Sequence, residues 1–367
     1  MKFAVKAWSN GKARAGVLQL GNCPGPIETP ALLLSTRKGL PHFIPPDLLP
    51  SLPSPDSHLL QVSPLHFLEG LSPKTISKIG GLNKMLGLPD YGFAAVARDS
   101  MQSIPEYSST NRIGASFETR VGRLLIKPVD YVEMISCMRP NIWATLADEV
   151  PAWVSEKRNK TSVDRTVRWL DECIALSSAG GTVFGSIVGG SNVEERERCA
   201  QEVAERNVSG YWIGGFGLGE SMEERPALLN AVTDVLHEEK PRLVCGLGLP
   251  EEALQGVSAG IDLFDSDYIY HVTLGGFALT FPPSGVDISA SEFCPSYDGS
   301  ERTKINLRAT IFRHNTHHYL KFFKSIREAI RAGEFDQFRR RFIESRRACD
   351  HLALTDDRAM AAVAVCI

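Results

Sequence analysis

The chain has 367 residues, with 40 Lys+Arg against 43 Asp+Glu and a formal charge of -3, which argues against whole-surface attraction to nucleic acid but leaves room for a local basic patch. Its length suits one large barrel with an appendage, or two domains, with ample apolar surface for a core. The 8 cysteines form no CxxC or CxC pair, which fits reduced thiols inside a cell rather than a disulfide scaffold, and neither a signal-peptide core nor a run of roughly 18 apolar residues is present.

In chain order, residues 1 to 35 read as strands. Gly16–Leu20 alternates, and a Pro/Gly turn leads into Ile27–Leu34, a β cap for the elements that follow. Residues 40 to 75 are dense in proline, with Pro45, Pro46, Pro50, Pro53 and Pro55, so irregular loops are expected there. Ala115–Glu118 and Gly122–Lys127 read as a hairpin. Val129–Met138 has helical spacing, Ile142–Ala147 is a strand ending at Asp148, and Ser162–Leu176 is an amphipathic helix that Thr161 can cap.

From Gly181 to Leu279 the pattern becomes a rhythm of about thirty residues. Val183–Val188 runs into Gly189-Gly190, Gly210–Ile213 into Gly214-Gly215-Phe216-Gly217, Leu243–Cys245 into Gly246, and Ile261–Phe264 into Asp265. Charged helices lie between them: Asn192 can cap Val193–Arg206, Ser221 a helix reaching His237, and Pro250 opens a shorter one. Crossovers of this length favour parallel strands, so a (β/α)8 barrel of about eight strands is predicted, with glycine turns and Asp265 on the rim that carries chemistry. After Phe281, Pro282–Thr303 reads as a loop and the remainder as a shortened helical extension. The domain division is therefore 1–281 for the barrel and 282–367 for the extension.

Several segments occur in an order that resembles the tRNA-guanine transglycosylase (queuine tRNA-ribosyltransferase) family. They are Ile27-Glu28-Thr29-Pro30-Ala31, Gly81-Leu82-Asn83-Lys84, Ala147-Asp148-Glu149, Phe184–Gly190, Gly210–Gly215 and Gly260–Asp265. The wording of Lys160–Arg165, Lys240–Leu243 and Phe277–Phe281 is most similar to the eukaryotic accessory branch. The resemblance implies a TIM barrel and an exchange of guanine for queuine at the tRNA wobble position. It places the nucleophile at Asp265, where a carboxylate can form a glycosyl ester and leave again, and a purine-edge acceptor at Asp148. It also places an acid/base near Asp99 and the base pocket at Val188, Gly189, Gly214 and Gly215.

The departures from the family pattern point away from catalysis. Phe93–Met101 keeps Asp99-Ser100 without the glycines of the family's Asp-Ser-Gly-Gly-Phe loop. Val188 replaces a base-reading glutamine, and Tyr270–Gly275 lacks the arginines that face nucleic acid. The zinc implied by the resemblance would take a Cys-x-Cys-x-x-Cys segment and a later histidine. Here that segment is absent, Cys294 does not match, and only His314, beside His317 and His318, stands at a ligand position. The C-terminal aromatics at helical spacing read as a helix packing on the barrel, with Arg339–Arg341 available to a partner or to phosphates.

The leading expectation is a non-catalytic accessory subunit of a heterodimeric transglycosylase, partnered by its catalytic subunit and tRNA. The resemblance implies a cytoplasmic protein, with peripheral attachment to the mitochondrial outer membrane. An active transglycosylase using Asp265 is the alternative. A barrel enzyme acting on an unrelated small molecule is the third reading, since fold alone does not fix function.

Overall fold

A computed structural model describes residues 1–53, 55–99, 103–177, 182–279, 281 and 301–355, with side chains over 307–346 in the last segment. The N-terminus forms an antiparallel sheet of β1 (Lys2–Trp8), β2 (Arg14–Gln19) and β3 (Ile27–Thr29). Next come β4 (Ala31–Leu32) and β5 (Leu34–Arg37), one extended segment interrupted only at Leu33, and β6 (Leu40–Pro41), which folds back on β5. The proline-dense stretch contains more order than expected, because it encloses β7 (Leu59–Val62) between short 3-10 turns. All four of its residues are buried, so there is no alternation to reveal a strand.

Then follow α1 (Pro73–Ile79), α2 (Leu82–Leu86) and β8 (Gly92–Ala95), and a second antiparallel sheet of β9 (Ser103–Pro105), β10 (Ala115–Thr119) and β11 (Gly122–Ile126). Strands and helices then alternate as α3 (Pro128–Met138), β12 (Ile142–Ala144), α4 (Glu156–Leu176), β13 (Thr182–Ile187) and α5 (Val193–Ala204). They continue as β14 (Gly210–Ile213), α6 (Arg225–Thr233), β15 (Arg242–Val244), α7 (Pro250–Ser258), β16 (Leu263–Phe264) and α8 (Asp267–Leu274). The chain ends in α9 (Glu301–Arg331) and α10 (Phe335–Thr355).

Three helix starts differ from the sequence reading. Helix α4 begins six residues before Ser162, capped by the Ser155 hydroxyl accepting from the Arg158 N–H, and Thr161 lies inside it, donating to Lys157 O. Its first turns are polar because Arg158 and Asn159 serve the site described below. Helix α6 begins at Arg225 and ends at Thr233, with Ser221 closing the preceding turn by accepting from the Glu224 N–H. Helix α9 already includes Glu301–Thr303, while the expected loop at 282–300 lies outside the described residues. Helix α5 starts as read: Asn192 Oδ1 accepts from the Glu195 N–H at 2.8 Å, a cap worth about 1 kcal/mol, with Glu194 and Glu195 in the first turn.

The strand order β4-β16-β15-β14-β13-β12-β8-β7-β5-β6 is parallel throughout except for the β5–β6 hairpin. Ala31 in β4 faces Leu263 of β16, and Leu34 in β5 faces Leu60 of β7. One short segment thus pairs with both outer members of a curled sheet, giving a TIM-barrel-like α/β architecture. Helices cover it closely where glycine allows: a Cβ on Gly185 would lie 2.5 Å from Val203 Cγ1 of α5.

At the N-terminal ends of the strands, Arg14 from β2 grips the buried Asp262 with two hydrogen bonds of 2.9 and 2.6 Å. Helix α9 packs here as well. Its buried Arg327 donates to Pro30 O at 3.0 Å and to Asp56 at 2.7 Å, and its Nε lies 3.3 Å from Glu28. The C-terminal aromatics do what their spacing predicts, with Phe322 stacked on Phe281 at 4.8 Å and tilted against Phe342 at 4.9 Å. Arg340 and Arg341 remain exposed.

Candidate functional site

The glycine turns and carboxylates named from the sequence meet at the C-terminal ends of β8 and β12 to β16, where parallel α/β sheets carry their chemistry. Gly190, Gly215 and Gly246 have φ of 54, 72 and 86°, conformations that side chains disfavour and glycine adopts freely. The turns are held by a residue that the sequence reading passed over. Arg196 of α5, fully buried, donates from Nε to Gly190 O at 2.9 Å, from Nη1 to Gly214 O at 2.8 Å and from Nη2 to Gly215 O at 3.0 Å. Its guanidinium also lies 4.0 Å over the Phe216 ring, a cation–π contact that adds to the clasp. Burial lowers its pKa to about 10, which leaves it charged at neutral pH. Val188 is buried, with its N–H on Cys199 Sγ at 3.4 Å, and Gly189 O accepts from Asn159 Nδ2 at 2.6 Å.

Asp148 has a side chain with 0% exposure and all its acceptor capacity is turned inward. Arg158 grips it with both branches, Nη1 to Oδ2 at 2.9 Å and Nη2 to Oδ1 at 2.7 Å, and Arg165 Nη1 adds a contact to Oδ2 at 3.0 Å. The same arginines donate to Tyr107 O and Thr110 O. Asp148 therefore anchors the segment leading into β10, through charge-assisted bonds stronger than neutral ones.

Glu149, next in the chain, points toward the rim. Its Oε2 accepts from Arg98 Nη1 at 2.7 Å and from the Gly215 N–H at 2.7 Å. Burial alone would favour a neutral guanidine at Arg98, but Glu149, with smaller contributions from Cys245 and Asp265, outweighs this and holds its pKa above the ordinary value. Asp265 is 2% exposed, and its Oδ2 accepts from the Gly246 N–H at 2.7 Å. Desolvation, with repulsion from Asp267, pushes the Asp265 carboxyl up to about 7. Beside Arg98 and Glu149 lies a small cavity of about 10 Å³, lined by Ala97, Arg98, Phe117, Thr145, Glu149 and Trp212 among others. That is about the room one water requires, far less than a purine needs.

Asp99 is buried at 5% exposure and faces a histidine. The Lys38 N–H donates to His66 Nδ1 at 3.4 Å, and the other ring nitrogen, Nε2, lies 2.5 Å from Asp99 Oδ2. Ser100, the other half of the Asp99-Ser100 pair, lies outside the described residues.

His314 sits apart from this rim. Its Nε2 lies 3.0 Å from Leu279 O, and its ring is 4.2 Å from that of His318, whose pKa burial and His314 lower to about 4. Among the described residues, no group of three or more His, Cys, Asp or Glu side chains could hold a metal ion. His314 Nε2 on a backbone carbonyl leaves Nδ1 as its one ring nitrogen for a metal, and among the described residues no further donors join it to complete tetrahedral zinc ligation. Cys294 lies outside the described residues.

A curled parallel sheet with glycine turns and buried carboxylates at its strand C-termini defines a TIM-barrel-like protein, with its candidate site on that rim. The queuine tRNA-ribosyltransferase family model matches residues 9–313 and 302–348, and the chain belongs to that family. It is similar to the Xenopus tropicalis protein described as queuine tRNA-ribosyltransferase accessory subunit 2, with 31% identity over 409 residues, covering 92% of this chain and 97% of the relative. The Homo sapiens protein of the same description is 30% identical over 302 residues, covering 77% of this chain and 69% of the relative. That of Ixodes scapularis is 27% identical over 383 residues, covering 89% and 97%.

Proposed function

We propose that this chain is the non-catalytic accessory subunit of a heterodimeric queuine tRNA-ribosyltransferase, supporting the exchange of guanine for queuine in tRNA by a catalytic partner. The observation that carries this reading is the filled rim. Arg98 and Arg196 occupy the space around the glycine turns, Asp148 is gripped by two arginines, and the cavity beside Arg98 and Glu149 measures only about 10 Å³. A base held for exchange needs a purine-sized pocket with free polar groups. In this reading Asp265 is retained as a rim carboxylate. Val188, Gly189, Gly214 and Gly215 are the inherited walls of a pocket that no longer opens, and Asp99 fixes His66.

The same proposal includes a closed (β/α)8 barrel over 1–281, with β4 and β5 counted as one strand and β1–β3 as its cap. It assigns 282–367 as an extension packed on the barrel. Zinc is not part of it, because among the described residues no set of donors joins His314 to form a site. Residence in the cytoplasm and peripheral contact with the mitochondrial outer membrane complete the proposal; among the described residues no helix is long and apolar enough to cross a membrane.

Labelled-guanine exchange into tRNA tests this reading. The purified chain alone is expected to give none and to co-purify with the catalytic subunit. Exchange by the chain alone, abolished in Asp265→Asn, would overturn the assignment.

A further inference from the structure

Arg98 leaves the end of β8 and enters the middle of the rim, where it is 4% exposed. A Cβ on Gly246 would lie 3.1 Å from its Nη2, and one on Gly217 3.6 Å away. The guanidinium therefore lies against two turns whose lack of side chains makes the space it fills. Its Nη1 and the Gly215 N–H converge on the same Glu149 oxygen, while its Nε has no hydrogen-bond partner among the described residues.

We propose that the Glu149 end of the rim is a cradle for a planar guanidine-type group, and that Arg98 fills it from within the chain and excludes free bases. This rests on the reading of the rim as non-catalytic and names the residue that makes it so. The chemistry follows from donor geometry. A guanidinium and the N1–H/2-amino edge of guanine both present coplanar N–H donors, and a carboxylate accepts from either. Arg98 has two advantages over a diffusing base: its positive charge neutralises the buried Glu149, and its tether gives it a high effective concentration. Glu149 is thus the recognising group, and Arg98 is the specificity-determining one.

The test is thermal melting of Arg98→Ala with and without guanidinium chloride at about 10 mM, far below the level that unfolds proteins. The variant is expected to melt below the unmodified chain and to gain several degrees with guanidinium, while the unmodified chain gains nothing. Arg98→Ala combined with Glu149→Gln is expected to lose the response. A folded Arg98→Ala that ignores guanidinium, or a double variant that responds equally, overturns the proposal. If Arg98→Ala does not fold, the unmodified chain supplies the answer by NMR. The Arg98 Nε–H signal, identified by its loss in Arg98→Lys, is expected to exchange slowly with solvent and to stay in place when guanine is added to saturation. Movement of that signal by guanine overturns the proposal. Failure to associate with a catalytic subunit would bear on the accessory reading alone.

Discussion

Asp148→Asn separates a locked carboxylate from a ligand-reading one. The native side chain is 0% exposed, whereas Arg158 and Arg165 are 22% and 19% exposed, and three bonds of 2.7 to 3.0 Å join them. Asparagine keeps the shape but loses the charge, and it turns amide hydrogens toward a guanidinium. Breaking a buried ion pair costs about 3–5 kcal/mol. Because both arginines can regain water, the lower end applies, about 3 kcal/mol. For a chain of this size, roughly 2 °C per kcal/mol gives a fall in melting temperature of about 6 °C. Circular dichroism melts at neutral pH read this directly, with urea midpoints as a second measure. A variant melting within about 1 °C of the parent would refute the reasoning, because a carboxylate free to face a ligand contributes little to folding.

Four further outcomes are expected. Burial lowers the His42 pKa to about 4 from 6.5, so its contribution to stability is present above pH 6.5 and is lost as pH falls toward 4; His42→Gln should flatten that acid slope in pH-dependent urea titrations. Asp265 has the opposite sign: with its pKa raised from 3.8 to about 7, its contribution is full below 3.8 and is lost as pH rises through 7, so Asp265→Asn should gain on the parent at pH 8 and lose that gain near pH 4. Gly246→Ala should lower stability by more than about 2 kcal/mol, because its φ is +86° and the added Cβ would lie 2.3 Å from Phe216 O; a melt matching the parent contradicts the turn geometry. Prolonged chelation should leave the melting temperature unchanged, and a fall of several degrees would restore a structural metal to the account.

The strands that end in glycine were legible because a positive φ at a strand end leaves glycine as a visible mark, as at Gly190, Gly215 and Gly246. Helix α5 announced itself through Asn192 and its early glutamates. Strand β7 gave no sign, since four buried residues among prolines carry no period. The positions of Asp148 and Asp265 were visible, but their environments were not. Arg158 and Arg196 stand in polar stretches where an arginine ordinarily faces water, and Arg98 follows the apolar Phe93–Ala97 at a strand's end; nothing local distinguishes an arginine whose guanidinium turns inward to carbonyls or carboxylates of distant elements. Such arginines are identified only by what surrounds them after folding, which is why the filled rim emerged from coordinates while its walls emerged from sequence.

The bond from Arg327 to Pro30 O joins positions 297 apart. At bacterial-to-eukaryotic elongation rates of about 5–20 residues per second, the first strand leaves the ribosome tens of seconds before its clasp exists. For that interval the nascent chain holds an unfinished floor, with Pro30 O and Asp56 open to water or to a holding chaperone. A product truncated before Arg327 would leave them so permanently, and the arrival of α9 is the event that seals the molecule's base.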